Sequence, residues 1–481
     1  MRVGVVGAGV SGLAAAHRLR TLLGDAVTIT VLEQRDRVGG VLHTVDLGGM
    51  PVDVGAEAFL ARRPEVPALL AELGQGPAVH PTAASATIRA GGRTAPLPGG
   101  TLLGVPTSAA RLDALLSPAG VAAVAAEPAR PLAWDPGTDV ALGHLLRDRF
   151  GDEIADRLAD PLLGGVYAGR VDALGLRATV PALAAALDVG APSLTAAADT
   201  VTAHSAPDSV AQKSRLAGAD ARVGGSGRPG PAAGATGGPV FGAVPGGYRV
   251  LLDALVAAAR PELRLGVTVR ALERRTGGWR LVLGPTTAPE ALDVDAVVLA
   301  VPAPVLAKLL GGPAGRAAGE IELASSVVVA LAYPAAVALP PTSGVLVAAG
   351  EPLHVKGVTH SSTKWSHLGG DGLVRLRASL GRFGEAATLQ VDDATLVARV
   401  RADLAALTGV TAEPVAVHVQ RWGGGLPQYG VGHLDRVAGI EGGLPAGVAV
   451  AGAALHGVGV PACVATGRAA AERVAAGLVP A

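Results

Sequence analysis

Three glycines spaced G-x-G-x-x-G, at Gly7, Gly9 and Gly12, limit this chain more than any other stretch. A short β-branched run from Arg2 to Val6 leads into them, and a helix beginning near Ser11 follows. Gly7 permits a tight turn, Gly9 lets backbone approach a pyrophosphate, and Gly12 lets the helix pack closely on the strand. The turn Gly7-Ala8-Gly9-Val10-Ser11-Gly12 therefore offers phosphates its N–H groups and the positive end of a helix. Val27 to Leu32 alternates as a second strand and ends at Glu33. That acid stands about 20 residues beyond the last glycine, where a carboxylate accepts from a ribose 2′-OH and disfavours the 2′-phosphate of NADP. The apolar run from Arg2 to Ala14-Ala15-Ala16 does not read as a secretory signal, because glycines interrupt it and the βαβ pattern continues through the would-be cleavage point.

After Glu33 come Gln34-Arg35-Asp36-Arg37-Val38-Gly39-Gly40, then Asp53-Val54-Gly55-Ala56-Glu57. An acid followed by R-x-G-G and D-V-G-A-E resembles the flavin-binding half of the FAD-dependent amine oxidase, desaturase and porphyrinogen oxidase superfamily. The second glycine pair brings further backbone N–H groups to the phosphates, and simple NAD-binding units do without it. FAD is therefore preferred over NAD.

A chain of 481 residues exceeds what one core supports, so two or three domains are expected. Forty basic residues balance forty acidic ones, and the pI of 7.2 gives no electrostatic reason to expect nucleic acid. Partners should be small molecules or proteins. The single cysteine, Cys463, excludes an intramolecular disulfide framework and a cysteine-rich metal site, which fits a reducing cytoplasm. It reads as a small buried side chain. No pair of the 11 histidines has a metal-ligand spacing, so no metal is expected. Mean hydropathy is high, +0.42, yet the uncharged stretches do not read as membrane spans. Leu323 to Gly350 is broken by Pro334, Pro340 and Pro341, and Gly442 to Gly467 by glycines, His456 and Pro461.

Along the chain, Pro64 to Leu73 predicts a helix, Ala86 to Ala90 a strand before a Gly91-Gly92 turn, and Arg93 to Thr107 a shaped Pro/Gly-rich loop. Residues 108 to 203 read as helical. Leu142, Leu145, Leu146 and Phe150 recur at helical spacing behind Thr138 and Asp139 as caps, and Ile154, Leu158 and Leu162 follow. Residues 204 to 240 lack hydrophobic periodicity and read as a loose insertion. Beyond it a helix is expected from Val250 to Arg260, strands at Leu265 to Val269, Trp279 to Leu283 and Ala296 to Val301, and a helix from Asp393 to Leu407. Further strands are expected at Ser326 to Ala332, Gly344 to Val347, Val374 to Ser379 and Val448 to Ala451, before a closing helix with Pro461 at its first position.

Several strings sharpen the resemblance: Asp160-Pro161-Leu162-Leu163-Gly164-Gly165-Val166-Tyr167-Ala168-Gly169, Thr359 to Trp365, Arg421-Trp422, Pro427-Gln428-Tyr429, Gly432-His433 and Gly457-Val458-Gly459-Val460-Pro461. Together, from Val3 to Ala471, they are similar to the oxygen-dependent porphyrinogen oxidases of haem synthesis, and more closely to the Gram-positive type that acts on coproporphyrinogen III. Arg170 departs from the acid the family often has after Tyr-Ala-Gly, and the glycine-rich insertion is longer than usual. The resemblance implies an α/β fold: a Rossmann-type FAD-binding domain (1–75, 241–303 and 421–481), a substrate domain of mixed or antiparallel sheet (76–100 and 304–420), a helical insertion (101–203) and the flexible segment 204–240. It assigns FAD contacts to Gly7, Ala8, Gly9, Val10, Ser11, Gly12, Glu33, Gln34, Gly40, Val41, Gly55, Ala56, Glu57, Ala58, Val267, Trp422, Val458, Gly459 and Val460.

The implied reaction takes a porphyrinogen through six electrons, with flavin as hydride acceptor and O2 as reoxidant, and needs no catalytic base. A membrane is not required, and a ferrochelatase is the implied transient partner. Arg62, Arg89, Arg93, Arg170, Arg177 and Lys364 are candidate cations for the propionates; a solvated loop lysine remains the alternative for Lys364, and a core aromatic for Trp365. Rival readings are a protoporphyrinogen IX oxidase, an amine oxidase or a carotenoid desaturase. A flavin-binding sensor or scaffold without turnover is the rival from another class. Against an amine oxidase, no Tyr, Trp or Phe stands near Gly457 to form an aromatic cage.

Overall fold

The computed structural model describes residues 1–205 and 239–478. Most of the glycine-rich insertion, and with it the expected looseness, lies outside the described residues. Arg2–Val6 is the centre of a parallel sheet, paired on one side with Thr28–Leu32 and on the other with Ala296–Leu299. Glu262–Arg264 and Val448–Val450 complete five strands. A parallel sheet is covered on both faces, and alternate side chains divide accordingly. Val3, Val5 and Val298 pack against the helices Val10–Leu23, Tyr248–Ala259 and Val460–Leu478. Val6, Val297 and Leu299 pack against an antiparallel meander, Val269–Arg275, Gly278–Leu283 and Glu290–Val294, with helix Ala303–Leu310. This is the expected α/β, Rossmann-type architecture.

A second sheet has seven strands in the order Ala416–Pro427, Leu323–Pro334, Leu373–Leu380, Val355–Thr359, Gly344–Val347, Ala86–Ala90, Arg93–Pro96. Gly344–Val347 and Ala86–Ala90 run parallel and every other pair is antiparallel. Val327, Val329, Leu376 and Leu380 face helix Asp393–Thr408. The opposite face carries Val328, Ala330 and Ala332 against Val52, Val54 and Trp422, and so packs on the hairpin of Thr44–Asp46 and Pro51–Asp53. The helical layer has its own core around Leu142, Leu146, Phe150, Leu158 and Leu183. Within it Arg149 Nε donates to Glu127 Oε1 at 3.0 Å, both side chains almost sealed from solvent.

Four local expectations are corrected. Arg93 to Thr107 is not simply a loop: Arg93–Pro96 forms a hairpin with Ala86–Ala90, and Thr101–Leu102 pairs with Val105–Pro106. The strand expected at Leu265 to Val269 is a break between Glu262–Arg264 and Val269–Arg275, because the chain turns there to donate from Gly266 N to Arg35 O and from Val267 N to Glu33 O, each at 2.8 Å. Asp139 does not cap Leu142–Phe150, whose N-cap is Ala141; its carboxylate accepts from Arg177 N at 3.0 Å and Gly432 N at 2.8 Å, tying the helical layer to the C-terminal segment. The closing helix starts at Val460, which puts Pro461 at its second position.

Candidate cofactor and substrate site

The glycine turn lies at the carboxyl end of the central strand, where open α/β sheets bind ligands. Gly7 has φ +99°, and a Cβ there would stand 2.2 Å from Ala300 O; one on Gly12 would stand 1.9 Å from Gly7 O. Only glycine fits where strand and helix approach so closely. The Gly39-Gly40 loop folds back over this turn: Gly39 N donates to Ala8 O at 2.8 Å, and Gly39 bridges Gly9. Arg35 Nη1 and Arg37 Nη2 brace the loop by donating to Gly40 O at 3.1 and 2.9 Å. Both guanidiniums lie 5.9 Å from the centre of the Trp422 ring, and Trp422 Nε1 donates to Val54 O at 2.9 Å. Trp422 thus brings strand Ala416–Pro427 of the second sheet against the glycine loops.

Glu33 is buried, with its carboxylate fixed by two backbone donors, Ala8 N to Oε2 and Arg35 N to Oε1, each at 2.9 Å. Each oxygen keeps a further lone pair for a hydroxyl. Val267 lies beside it through the Val267 N to Glu33 O bond. Gln34 and Val41 are exposed. Val458 and Gly459 precede the closing helix, where Cys463 N donates to Gly459 O at 3.0 Å. Cys463 is buried, as the sequence predicts, and burial pushes its thiol up to about 11. Helix Val460–Leu478 packs so closely on Val10–Leu23 that a Cβ on Gly467 would stand 2.3 Å from Ser11 O, which sets Val458 to Val460 beside the first glycine turn.

The Asp53 to Ala58 segment is more structural than its sequence suggests. Asp53 accepts from Thr44 Oγ1 at 2.5 Å and from Tyr248 N at 3.1 Å, so it serves the start of helix Tyr248–Ala259. Burial pushes the Asp53 carboxyl up to about 6, against those hydrogen bonds. The Glu57 carboxylate accepts from Trp365 Nε1 and is paired with Arg377 at 3.3 Å and Lys364 at 3.6 Å. Arg377 Nη2 also donates to Gly55 O at 2.6 Å. Ala58 packs beside Trp365, and Ala56 against the core of the parallel sheet.

Two observations test whether these residues suit a phosphate-bearing cofactor. A Cβ on Gly9 would meet nothing within 4 Å, so room is left beside the helix start. Helix Val10–Leu23 has neither a side-chain N-cap nor an acid in its first turn, which keeps its N–H groups for an anion. The residues fit.

The candidate cations do not converge as a set. Arg177 is locked to Asp188 at 2.7 Å, Arg89 to Glu351 at 3.1 Å and Arg170 to Glu385 at 2.9 Å. Lys364 is neither a free anion anchor nor a solvated loop lysine: it is partly buried, paired with Glu57, and 5.0 Å from the Trp365 ring centre. Arg62 and Arg93 are exposed. Trp365 is a core aromatic.

Sequence reasoning passed over Tyr429 as a functional side chain. Its hydroxyl donates to Ala453 O at 2.6 Å and accepts from Gly457 N at 2.7 Å. Its ring stacks on His433 at 3.8 Å, and His433 Nε2 lies 3.0 Å from Leu455 O. This pair clamps the loop before Val458. Tyr167 lies 5.5 Å from Tyr429, but both rings are buried and so present no open aromatic cage. Among the described residues no cluster of His, Cys, Asp or Glu could hold a metal, and no helix is long and apolar enough to cross a membrane.

A coproporphyrinogen III oxidase of Mycobacterium leprae is 48% identical over 470 residues, covering 97% of this chain and 96% of that one. One of Bacillus subtilis is 28% identical over 97% of this chain and 96% of its own. A crystal structure from Exiguobacterium sp. 255-15, named as a protoporphyrinogen oxidase, superposes with a TM-score of 0.81 at 29% identity, over 99% of this chain and 98% of that one. A putrescine oxidase at 20% identity and TM-score 0.65, covering 99% of both chains, shares the fold. Residues 10–475 match the flavin containing amine oxidoreductases, and the chain belongs to that family.

Proposed function

We propose that this protein oxidises coproporphyrinogen III to coproporphyrin III, with FAD as resident cofactor and O2 as electron acceptor, in haem synthesis. The observation that carries the reading is 48% identity over 97% of the chain to a protein of that name. In this reading Gly7, Ala8, Gly9, Val10, Ser11, Gly12, Gly40 and Val41 would hold the pyrophosphate, and Glu33 and Gln34 the ribose. Val267 would hold the adenine, and Gly55, Ala56, Glu57, Ala58, Trp422, Val458, Gly459 and Val460 the flavin ring. The free N–H groups at the start of Val10–Leu23 and the fixed Glu33 carboxylate support it.

Bound there, FAD would supply a hydride acceptor for the methylene bridges and a two-electron donor to O2, which leaves as hydrogen peroxide. The chain's own work is positioning. Arg377 and Trp365 fix the Gly55 to Ala58 segment through Gly55 O and Glu57. Tyr429 fixes the approach to Val458. No side chain is assigned as a base, since the pyrrole nitrogen beside each bridge assists hydride departure. The product is a metal-free porphyrin, so a transient contact with a ferrochelatase belongs to the proposal. A cytoplasmic location belongs to it too, on the sparing use of cysteine.

The test is anaerobic mixing with coproporphyrinogen III. Bleaching of the flavin, recovery in air and appearance of porphyrin fluorescence are expected; a flavin that stays oxidised rejects the reading. Protoporphyrinogen IX is the second reading, favoured by the name of the Exiguobacterium structure, and comparison of kcat/KM for the two substrates decides between them.

A further inference from the structure

Beyond the loops around the glycine turn, one group of charged side chains is out of balance. Lys356 lies on Val355–Thr359 where the register against Leu373–Leu380 slips, between Val355 and Gly357. It is partly buried and has neither an ion pair nor a hydrogen bond among the described residues. Its charged neighbours are Arg382, a like charge, and Glu385. Arg382 reaches back across the sheet end to a neutral partner, donating from Nη2 to Val347 O at 2.9 Å. Glu385 is already shared: Arg170 pairs with it at 2.9 Å and Arg382 N donates to it at 3.0 Å. Asp160, the other acid acting on Arg382, accepts from Val171 N at 2.9 Å, and burial raises its pKa.

Lys356, Arg382 and Arg170 therefore face only two carboxylates, Asp160 and Glu385. Burying uncompensated positive charge is costly, and an incoming anion removes that cost. Burial, then Arg382, lowers Lys356 to about 8, against the pull of Glu385. Arg170, Arg382 and Glu385, though not Lys356 itself, border a cavity of about 250 Å³.

Strand Leu373–Leu380 connects this group to the cofactor loops. Arg377 on it donates to Gly55 O, and Arg382 is five residues further on, at most about 16 Å away at roughly 3.3 Å per residue. Helix Asp160–Tyr167 and the sheet meet over the same stretch, with Phe383 N donating to Ala168 O at 2.7 Å. A tetrapyrrole with a methylene bridge at the cofactor projects its carboxyethyl arms outward in the ring plane on this scale. We propose that Lys356 and Arg382 form a carboxylate subsite for one propionate arm of the porphyrinogen, with Arg170 at its rim. This rests on the oxidase reading above.

The test uses the holoenzyme and its Lys356→Met, Lys356→Arg and Arg382→Gln variants. Loss of one charged hydrogen bond predicts a KM for coproporphyrinogen III raised roughly tenfold to a hundredfold in Lys356→Met and Arg382→Gln. Their kcat should stay within about twofold, as expected for uniform binding, and Lys356→Arg should restore most of the loss. Coproporphyrin III binding, followed by fluorescence quenching, should weaken in the same proportion, while its tetramethyl ester binds parent and variants alike. Lys356→Met should melt no lower than the parent, because it removes an unpaired charge; a merely structural lysine would give a fall. Free propionate should compete with coproporphyrin III in the parent, and its binding without competition would overturn the substrate assignment. Parental KM and parental coproporphyrin affinity in both Lys356→Met and Arg382→Gln would overturn the subsite while leaving the oxidase reading intact. A parent that oxidises neither porphyrinogen overturns the oxidase reading, and the coproporphyrin titration then decides the subsite alone.

Discussion

Replacing Tyr429 by phenylalanine removes one oxygen and leaves the ring. Burial holds that hydroxyl protonated, its pKa well above the ordinary phenol range, so it both donates to Ala453 O and accepts from Gly457 N, at 2.6 and 2.7 Å. Tyr429 is only 2% exposed, so water does not readily replace the lost partner. Each orphaned buried group costs about 1–3 kcal/mol, and partial relaxation of the loop puts the pair near the low end, about 2–3 kcal/mol. The stack on His433 at 3.8 Å survives the change and no cavity opens. An unfolding entropy of roughly 2.1 cal/mol/K per residue makes 1 kcal/mol worth only about 1 °C in a chain this long, so the melting temperature should fall by about 2–3 °C. Flavin affinity is the more sensitive readout, because Gly457 leads directly into Val458 and the start of Val460–Leu478. If ordering that loop is charged to cofactor binding, the same 2–3 kcal/mol raises the Kd for FAD by roughly 30- to 150-fold. Titration of the apoprotein by flavin fluorescence measures it. A Kd and a melting temperature equal to the parent's would show that the Tyr429 clamp does not hold the site.

Glu33→Ala should weaken FAD retention by about 1.5–3 kcal/mol, the range for a hydrogen bond to a charged group; equal retention in the mutant would remove Glu33 as the ribose ligand. Arg149→Met should destabilise by about 3 kcal/mol in denaturant unfolding, because it removes the counter-charge of Glu127, whose side chain is 0% exposed and keeps the backbone donors Leu194 N and Thr195 N; a neutral effect would mean that Glu127 is neutralised at little cost. Asp53 has a raised folded-state pKa, so its contribution is fully present below the unfolded value near 4 and is lost as pH rises through about 6. The melting temperature of Asp53→Asn relative to the parent should therefore rise between pH 4 and 7, by the equivalent of at most roughly 3 kcal/mol, and a flat difference refutes it. Coproporphyrinogen III should be preferred to protoporphyrinogen IX in kcat/KM by about tenfold for two extra partly exposed ion pairs; the reverse order would reject the substrate and keep the flavin oxidase.

The parts of this molecule legible in its sequence are those whose physics is local. Gly7 and Gly12 follow from a strand and a helix in contact across one turn, and the acid at Glu33 from the length of one βαβ unit. The misread elements are those in which a distant segment competes for a local signal. Asp139 has the right residue type one turn before a helix, yet Arg177 N and Gly432 N take its carboxylate. Leu265 to Val269 has the composition of a strand, yet Gly266 N and Val267 N donate to Arg35 O and Glu33 O. Arg93–Pro96 has too many turn formers nearby to read as a strand, and gains its partner only from the Gly91-Gly92 hairpin. The Tyr429 hydroxyl finds its partners in backbone atoms 24 and 28 positions further along, so no pattern of side-chain types announces the clamp.

Charge shows the same limit most directly. Six cations stand near loops in the sequence, and pairing decides which of them can still attract an anion. Arg89, Arg170, Arg177 and Lys364 each already face a carboxylate, so their contribution to anion binding is partly spent inside the fold. Lys356 attracted no notice in the sequence because a lone lysine between valine and glycine looks like an ordinary sheet position. It becomes informative only when the fold surrounds it with more cations than free carboxylates. Discrimination between tetrapyrroles with four and with two propionates should accordingly depend less on how many basic residues border the cavity than on the few the protein leaves unpaired.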